Sequence, residues 1–168
     1  MPQIRVAIGD DDRTFREAVS DVLTADPRFA VVAAVGSGPE LREVVAALRP
    51  DVALVDIRMP GGGATAVRGL RADDRERAEA EGDAPDTPVV VIALSAHTGV
   101  SDVRDLLAAG ATGYLAKGNL GAALPDLVHR CASGEVVLAV PSGAKALLML
   151  AEQANREPAR GDEVERTA

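Results

Sequence analysis

The sequence predicts an α/β fold: a five-stranded parallel sheet, order 2-1-3-4-5, doubly wound by helices on both faces, with a C-terminal helical extension. Three observations predict it. Unbroken aliphatic runs such as Val52-Ala53-Leu54-Val55 and Val89-Val90-Val91-Ile92-Ala93-Leu94 read as strands buried on both faces. Between these runs lie segments whose apolar residues recur at helical spacing. The two kinds alternate five times within 168 residues, a length that suits one well-packed domain and a short appendage. Short connections and right-handed crossovers then leave few strand orders.

Ile4, Val6 and Ile8 form a first strand that stops at Gly9, and Asp10-Asp11-Asp12 follow. Phe15, Val19, Val22 and Leu23 mark the first helix, with Asp12 as its cap and Asp26-Pro27 as its end. Ala30 to Val35 is the second strand. Ser37 and Glu40 then make a capping box for a helix carrying Leu41, Val44, Val45 and Leu48, which Pro50 terminates. The third strand ends in Asp56, before Ile57-Arg58-Met59-Pro60 and Gly61-Gly62-Gly63. A third helix through Val67 and Leu70 grades into Arg71 to Asp86, whose ten charged residues predict a solvated extension and a loose loop. Pro88 to Leu94 is the fourth strand, followed by Ser95. Val100, Val103, Leu106 and Leu107 mark the fourth helix, with Gly110 beyond its end. Gly113 to Lys117 is the fifth strand. Leu120, Leu124, Leu127, Val128 and Cys131 mark the fifth helix, which Pro125 forces to start late or to kink.

Composition narrows the function. Only 2% of residues are aromatic, namely Phe15, Phe29 and Tyr114, so the core is aliphatic and each aromatic is a candidate for a special role. A net charge of −8 argues against direct nucleic-acid binding. Cys131 is alone, which excludes an internal disulfide and zinc spacing, and its apolar helix face makes it a packing residue. No stretch reaches membrane-spanning length and the amino terminus has no signal pattern, so the expectation is a cytoplasmic protein without membrane contact.

In such a sheet the carboxyl ends of strands one, three, four and five converge on one crevice, bringing Asp10 and Asp11, Asp56, Ser95 and Lys117 together. A carboxylate at the end of a buried strand costs several kcal/mol unless something compensates it. Crowded carboxylates repel one another unless a cation neutralises them, and hard oxygen ligands with an open shell suit Mg²⁺. A lysine, a hydroxyl and a metal around one carboxylate are the parts that stabilise a transferring phosphoryl group. The carboxylate itself can attack phosphorus and become an aspartyl phosphate.

The acidic pair after strand one, Asp56-Ile57-Arg58-Met59-Pro60 after strand three, Ser95 after strand four and Lys117 preceded by Tyr114 form an ordered set. From Ile4 to about Gly134 the chain resembles the receiver domain of two-component response regulators, which has the flavodoxin-like/receiver fold. That resemblance implies that Asp56 takes a phosphoryl group from a sensor histidine kinase. It implies that Asp11, Asp56 and the backbone carbonyl of Arg58 hold Mg²⁺, or Mn²⁺ in its place, with Asp10 acting through water. Lys117 would neutralise one phosphoryl oxygen and Ser95 would hydrogen-bond another. Ser95 and Tyr114 would form a switch that repacks the face of helix four, strand five and helix five, while Arg58 and His97 would tune how long the modification lasts. The domain would catalyse only its own phosphorylation and dephosphorylation. Partners would be the kinase and a second copy, docked through the helix four, strand five, helix five face or the C-terminal helix.

Residues 135–168 divide from the 1–134 domain as a linker segment. Gly134 to Val140 and a helix over 142–154 resemble the segment joining receiver to helix-turn-helix in NarL/LuxR-type regulators, and the charged tail from Asn155 is expected to be disordered. No helix-turn-helix follows within the sequence. The favoured expectation is a transcriptional regulator whose DNA-binding domain lies outside this chain; the other is a receiver that acts through protein contacts alone. A haloacid-dehalogenase-type Mg²⁺ phosphatase, with Asp10 as nucleophile and Asp12 as acid, shares the acidic loop and a lysine. It gives Asp56 no role, and the chain has little room for a substrate cap. Dinucleotide binding fails because three acids stand where phosphate needs glycines.

Overall fold

The computed structural model describes residues 1–82, 87–96, 99–140 and 143–156. Strands β1 (Ile4–Gly9), β2 (Phe29–Val35), β3 (Val52–Asp56), β4 (Val90–Ser95) and β5 (Gly113–Ala116) alternate with helices α1 (Arg13–Thr24), α2 (Gly38–Leu48), α3 (Gly63–Glu81), α4 (Val100–Ala109) and α5 (Leu124–Ala132). Beyond them come β6 (Val137–Ala139) and α6 (Gly143–Arg156). The sheet is parallel throughout and runs β2-β1-β3-β4-β5-β6. Its first five strands follow the expected order. The five-strand count is corrected to six, because the segment after Gly134 pairs Val137, Leu138 and Ala139 with Gly113, Tyr114 and Leu115.

Side-chain alternation splits each central strand between two cores. Val6, Ile8, Val52, Leu54, Ile92, Leu94 and Leu115 pack under α1 and α5 with Leu23, Phe29, Val128 and Cys131. Ala7, Ala53, Val55, Val91, Ala93 and Tyr114 face α2, α3 and α4, where Leu41, Val67, Leu70, Val103 and Leu106 close the core. Val52, Ala53, Leu54 and Val55 are all 0% exposed, and each such Val or Leu contributes roughly 1.5–3 kcal/mol relative to an exposed side chain. That burial fixes β3 and hence the place of Asp56. Cys131 is part of this packing; burial pushes its thiol up to about 11, so it is neutral at physiological pH.

Local signals hold where they were expected. Asp12 caps α1, accepting from the Phe15 N–H at 3.1 Å, and Ser37 Oγ caps α2, accepting from the Glu40 N–H at 3.3 Å. Gly110 ends α4 with φ 108°. Of the two options left by Pro125, the helix starts late: short 3-10 turns over Lys117–Asn119 and Gly121–Ala123 precede it, and Pro125 lies in the first turn of α5. The charged run forms the expected extension of the helix, with more partners than a merely solvated face. It stays helical to Glu81, with Arg42 of α2 paired to Asp73 at 2.6 Å and Arg49 paired to Glu81. Arg71 reaches back to the carbonyls of Val89 at 2.6 Å and Gly110 at 2.8 Å. Residues 83–86 of the expected loop and 157–168 of the expected tail lie outside the described residues, while Asn155 and Arg156, expected in that tail, continue α6.

The C-terminal helix is observed from Gly143, and it packs against α4. With β6 on the edge of β5, the face expected from helix four, strand five and helix five is therefore partly covered by the chain's own continuation.

Candidate functional site

Parallel pairing sets the register that gathers the site. Gly9 lies beside Val55 and Asp56 beside Leu94, while Ser95 lies beside Ala116. The next residues, Asp10 and Lys117, therefore leave the sheet at the same end as Asp56 and Ser95. The three-glycine turn closes the floor below Asp56. Gly61 sits at φ +65°, and a Cβ on Gly62 would lie 2.6 Å from the Asp56 carbonyl oxygen. Any side chain there would push the loop off the strand end.

Asp10 and Ser95 are 0% exposed and Asp56 is 3% exposed, whereas Asp11 is open to solvent. Carboxylate oxygens of Asp10, Asp11 and Asp56 all lie within 4.8 Å of one another. Lys117 Nζ bridges two of them, 2.6 Å from Asp10 Oδ2 and 3.3 Å from Asp56 Oδ1. Burial pushes the Asp56 carboxyl above the ordinary carboxylate range, and the neighbouring Asp10 and Asp11 add to the effect. The Arg58 N–H, donating to Asp56 Oδ1 at 3.3 Å, and the Lys117 charge oppose it. Among the described residues, Lys117 is the one side-chain cation paired with these carboxylates, which leaves an excess of negative charge within the cluster. That excess and the hard oxygen donors fit a divalent cation, and Asp11 faces the solvent from which one would enter.

Tyr114 is 0% exposed, and its hydroxyl is hydrogen-bonded to Ser95. Burial pushes the phenol up, so it stays neutral, and Arg58 and Asp102 lie near enough to act on it with opposite signs. The tyrosine of the expected switch is thus already turned inward. Arg58 is exposed beside the carboxylates, and His97, expected to flank them too, lies outside the described residues.

The structure brings Asp10, Asp11, Asp56 and Lys117 into one cluster and ties Ser95 to Tyr114. Asp12, the acid of the phosphatase alternative, is engaged as the cap of α1. Two neighbours were not read from the sequence. Arg16 donates to the backbone carbonyl of Asp10, and the ring of Phe15 lies 4.4 Å from Lys117 Nζ. The scarcity of aromatics was the available signal for Phe15; for Arg16 it was the placement one helical turn past Asp12.

Comparison with known proteins agrees with this geometry. The family model of the response regulator receiver domain matches residues 6–129. The chain is 33% identical over 138 residues to the probable transcriptional regulatory protein NarL of Mycobacterium tuberculosis, covering 82% of this chain and 58% of that protein. It is 36% identical over 118 residues to a protein-glutamate methylesterase/protein-glutamine glutaminase of Nocardioides sp., covering 70% of this chain and 30% of that one. The chain thus spans well under two thirds of the curated relatives it matches. Among solved structures, the signal receiver domain of the putative response regulator NarL from M. tuberculosis superposes with a TM-score of 0.70 at 33% identity, covering 80% of this chain and 100% of that one. A LuxR-family response regulator from Aurantimonas sp. shares the fold, with a TM-score of 0.74 at 23% identity, covering 90% of this chain and 99% of that one.

Proposed function

From the premise that this chain belongs to the response regulator receiver family and is a NarL/LuxR-type receiver domain, we propose that Asp56 is its phosphoacceptor and a sensor histidine kinase the donor. The observation that carries this reading is the buried Asp56 carboxylate at the end of β3, with Lys117 Nζ 3.3 Å away and Asp10 and Asp11 beside it.

An Asp56 carboxylate oxygen attacks phosphorus as the bond from phosphorus to the donor nitrogen breaks, and the electron pair leaves on the donor imidazole. Asp11 and Asp56, with the backbone carbonyl of Arg58 and with Asp10 through water, are the groups suited to hold Mg²⁺ or Mn²⁺. Such an ion supplies charge neutralisation of the phosphoryl oxygens. Lys117, held between Asp10 and Asp56, donates to a phosphoryl oxygen and stabilises the charge that gathers there. Ser95 donates to another. Its bond to Tyr114 links the phosphoryl state to the core beneath α4. Because α6 packs on α4, we read the output as passing to α6 and the linker rather than to an open sheet edge. A homodimer over that face would need α6 to move; one through α6 itself would use Leu147 and Leu148, which are 47% and 66% exposed. The chain works as a regulator that modifies itself, coupled to transcriptional output through a DNA-binding domain outside it.

Incubation with a small acyl phosphate and Mg²⁺ tests the reading by intact-protein mass. One phosphoryl group should add to the wild type and none to Asp56→Asn. Sustained hydrolysis of phosphate esters, lost in Asp10→Asn and kept in Asp56→Asn, would instead favour the phosphatase alternative.

A further inference from the structure

We propose that Phe15 is a positioning residue whose ring holds the Lys117 ammonium between Asp10 and Asp56; the proposal rests on Asp56 as the phosphoacceptor. Lys117 is on a long flexible stem and leaves β5 at the start of a 3-10 turn, so its backbone does not fix where the charge sits. Three contacts do. Nζ lies 2.6 Å from Asp10 Oδ2, 3.3 Å from Asp56 Oδ1 and 4.4 Å from the centre of the Phe15 ring. The side chain is 15% exposed, so the face of the ring meets a largely desolvated cation, where attraction to the ring quadrupole is strong.

The acidic loop itself delivers the ring. Asp12 caps α1 by accepting from the Phe15 N–H, which sets Phe15 in the first turn directly after the two metal-facing carboxylates. Without the ring, the two carboxylates remain as the anchors among the described residues. Asp10 holds the ammonium at the shorter distance and would draw it away from Asp56, where the phosphoryl group must form. The aromatic face supplies attraction without a competing negative charge, so it can confine the lysine without neutralising it. Phe15 is half-buried at the rim of the aliphatic core under α1 and α5, so core packing accounts for only part of the ring. The contrast with Phe29 is useful: that ring is 2% exposed, packs in the core, and has the Arg28 guanidinium at the longer distance of 5.6 Å.

The test measures the rate at which Asp56 takes phosphate from acetyl phosphate at saturating Mg²⁺, in Phe15→Leu, Phe15→Met and Phe15→Tyr, each also in a Lys117→Met background. Losing the ring should slow phosphorylation about threefold to tenfold, the range expected for a partly buried cation–π contact. Phe15→Tyr, which keeps the ring, should retain the wild-type rate. In the Lys117→Met background the Leu and Met substitutions should cause no further slowing, because the residue they act through is gone. Equal slowing with and without Lys117, or wild-type rates in both Leu and Met variants, would overturn the assignment. A wild type that takes up no phosphate at Asp56 would instead overturn the function it rests on.

Discussion

The two ends of the sheet both carry buried or half-buried charge, yet they handle it in opposite ways. At the amino-terminal end charged side chains are met by an opposite charge or by a backbone group. Arg5 donates to the carbonyls of Leu48 at 2.7 Å and Arg49 at 2.9 Å, while its N–H donates to Asp51 at 2.7 Å. Arg71 bonds the carbonyls of Val89 and Gly110, and Asp74 lies between Arg71 and Arg77 at 3.4 and 3.2 Å. These cations close the ends of helices, where exposed carbonyls favour them. A cavity of about 700 Å³ lies at this end, lined by Arg71, Asp74, Val89, Gly110 and Thr112, far from the chemistry. At the carboxyl-terminal end three carboxylates cluster and, among the described residues, one lysine is paired with them, reaching Asp10 and Asp56. Balanced charge serves the fold; unbalanced charge marks the place where something else must bind.

Removing a cation from each end should therefore have unlike consequences. Lys117→Met should slow phosphoryl uptake by about 10²- to 10³-fold, as expected for losing a principal stabiliser of developing charge, read as the rate of mass gain with acetyl phosphate. Arg71→Met should leave that rate unchanged and cost about 1–3 kcal/mol of stability in denaturant unfolding, because two carbonyls lose their partner. A loss of uptake in the second variant would break the division between the two ends.

The comparison also has a sign in pH. Asp56 is held above its ordinary range, so the folded state binds its proton more tightly than the unfolded chain does. Its contribution favours the fold at low pH and is lost as pH rises through the folded value. Without divalent cation, Asp56→Asn should melt above the wild type at neutral pH, and the gap should close below about pH 4, near the unfolded value. Scanning calorimetry across that range checks it. Asp26 shows the reverse and the smallest effect. Hydrogen bonds from Arg28 lower it to about 2, so its contribution is present above the unfolded value near 4 and fades as pH falls toward 2. Asp26→Asn should lower the melting temperature slightly at neutral pH and not at pH 2.

Much of this was legible in the sequence because the signals are local. The aliphatic runs define β3 and β4, Asp12 and Ser37 cap their own helices, and each site residue stands just at or after a strand end. What was not legible depends on distant partners. β6 is three residues long and owes its existence to β5, and Arg71 reads as solvated until Gly110, far along the chain, takes its guanidinium. Likewise, Lys117 was assigned its role, but its seat against Phe15 arises only when α1 and β5 are brought together.

The central claim is that the excess charge at the carboxyl-terminal end exists to make Asp56 a phosphoacceptor. Borohydride reduces an aspartyl phosphate to homoserine and leaves a permanent mark on the residue that carried it. After treatment with acetyl phosphate and Mg²⁺, peptide mapping should find homoserine at position 56. Homoserine at position 10, or none at either, would contradict the account.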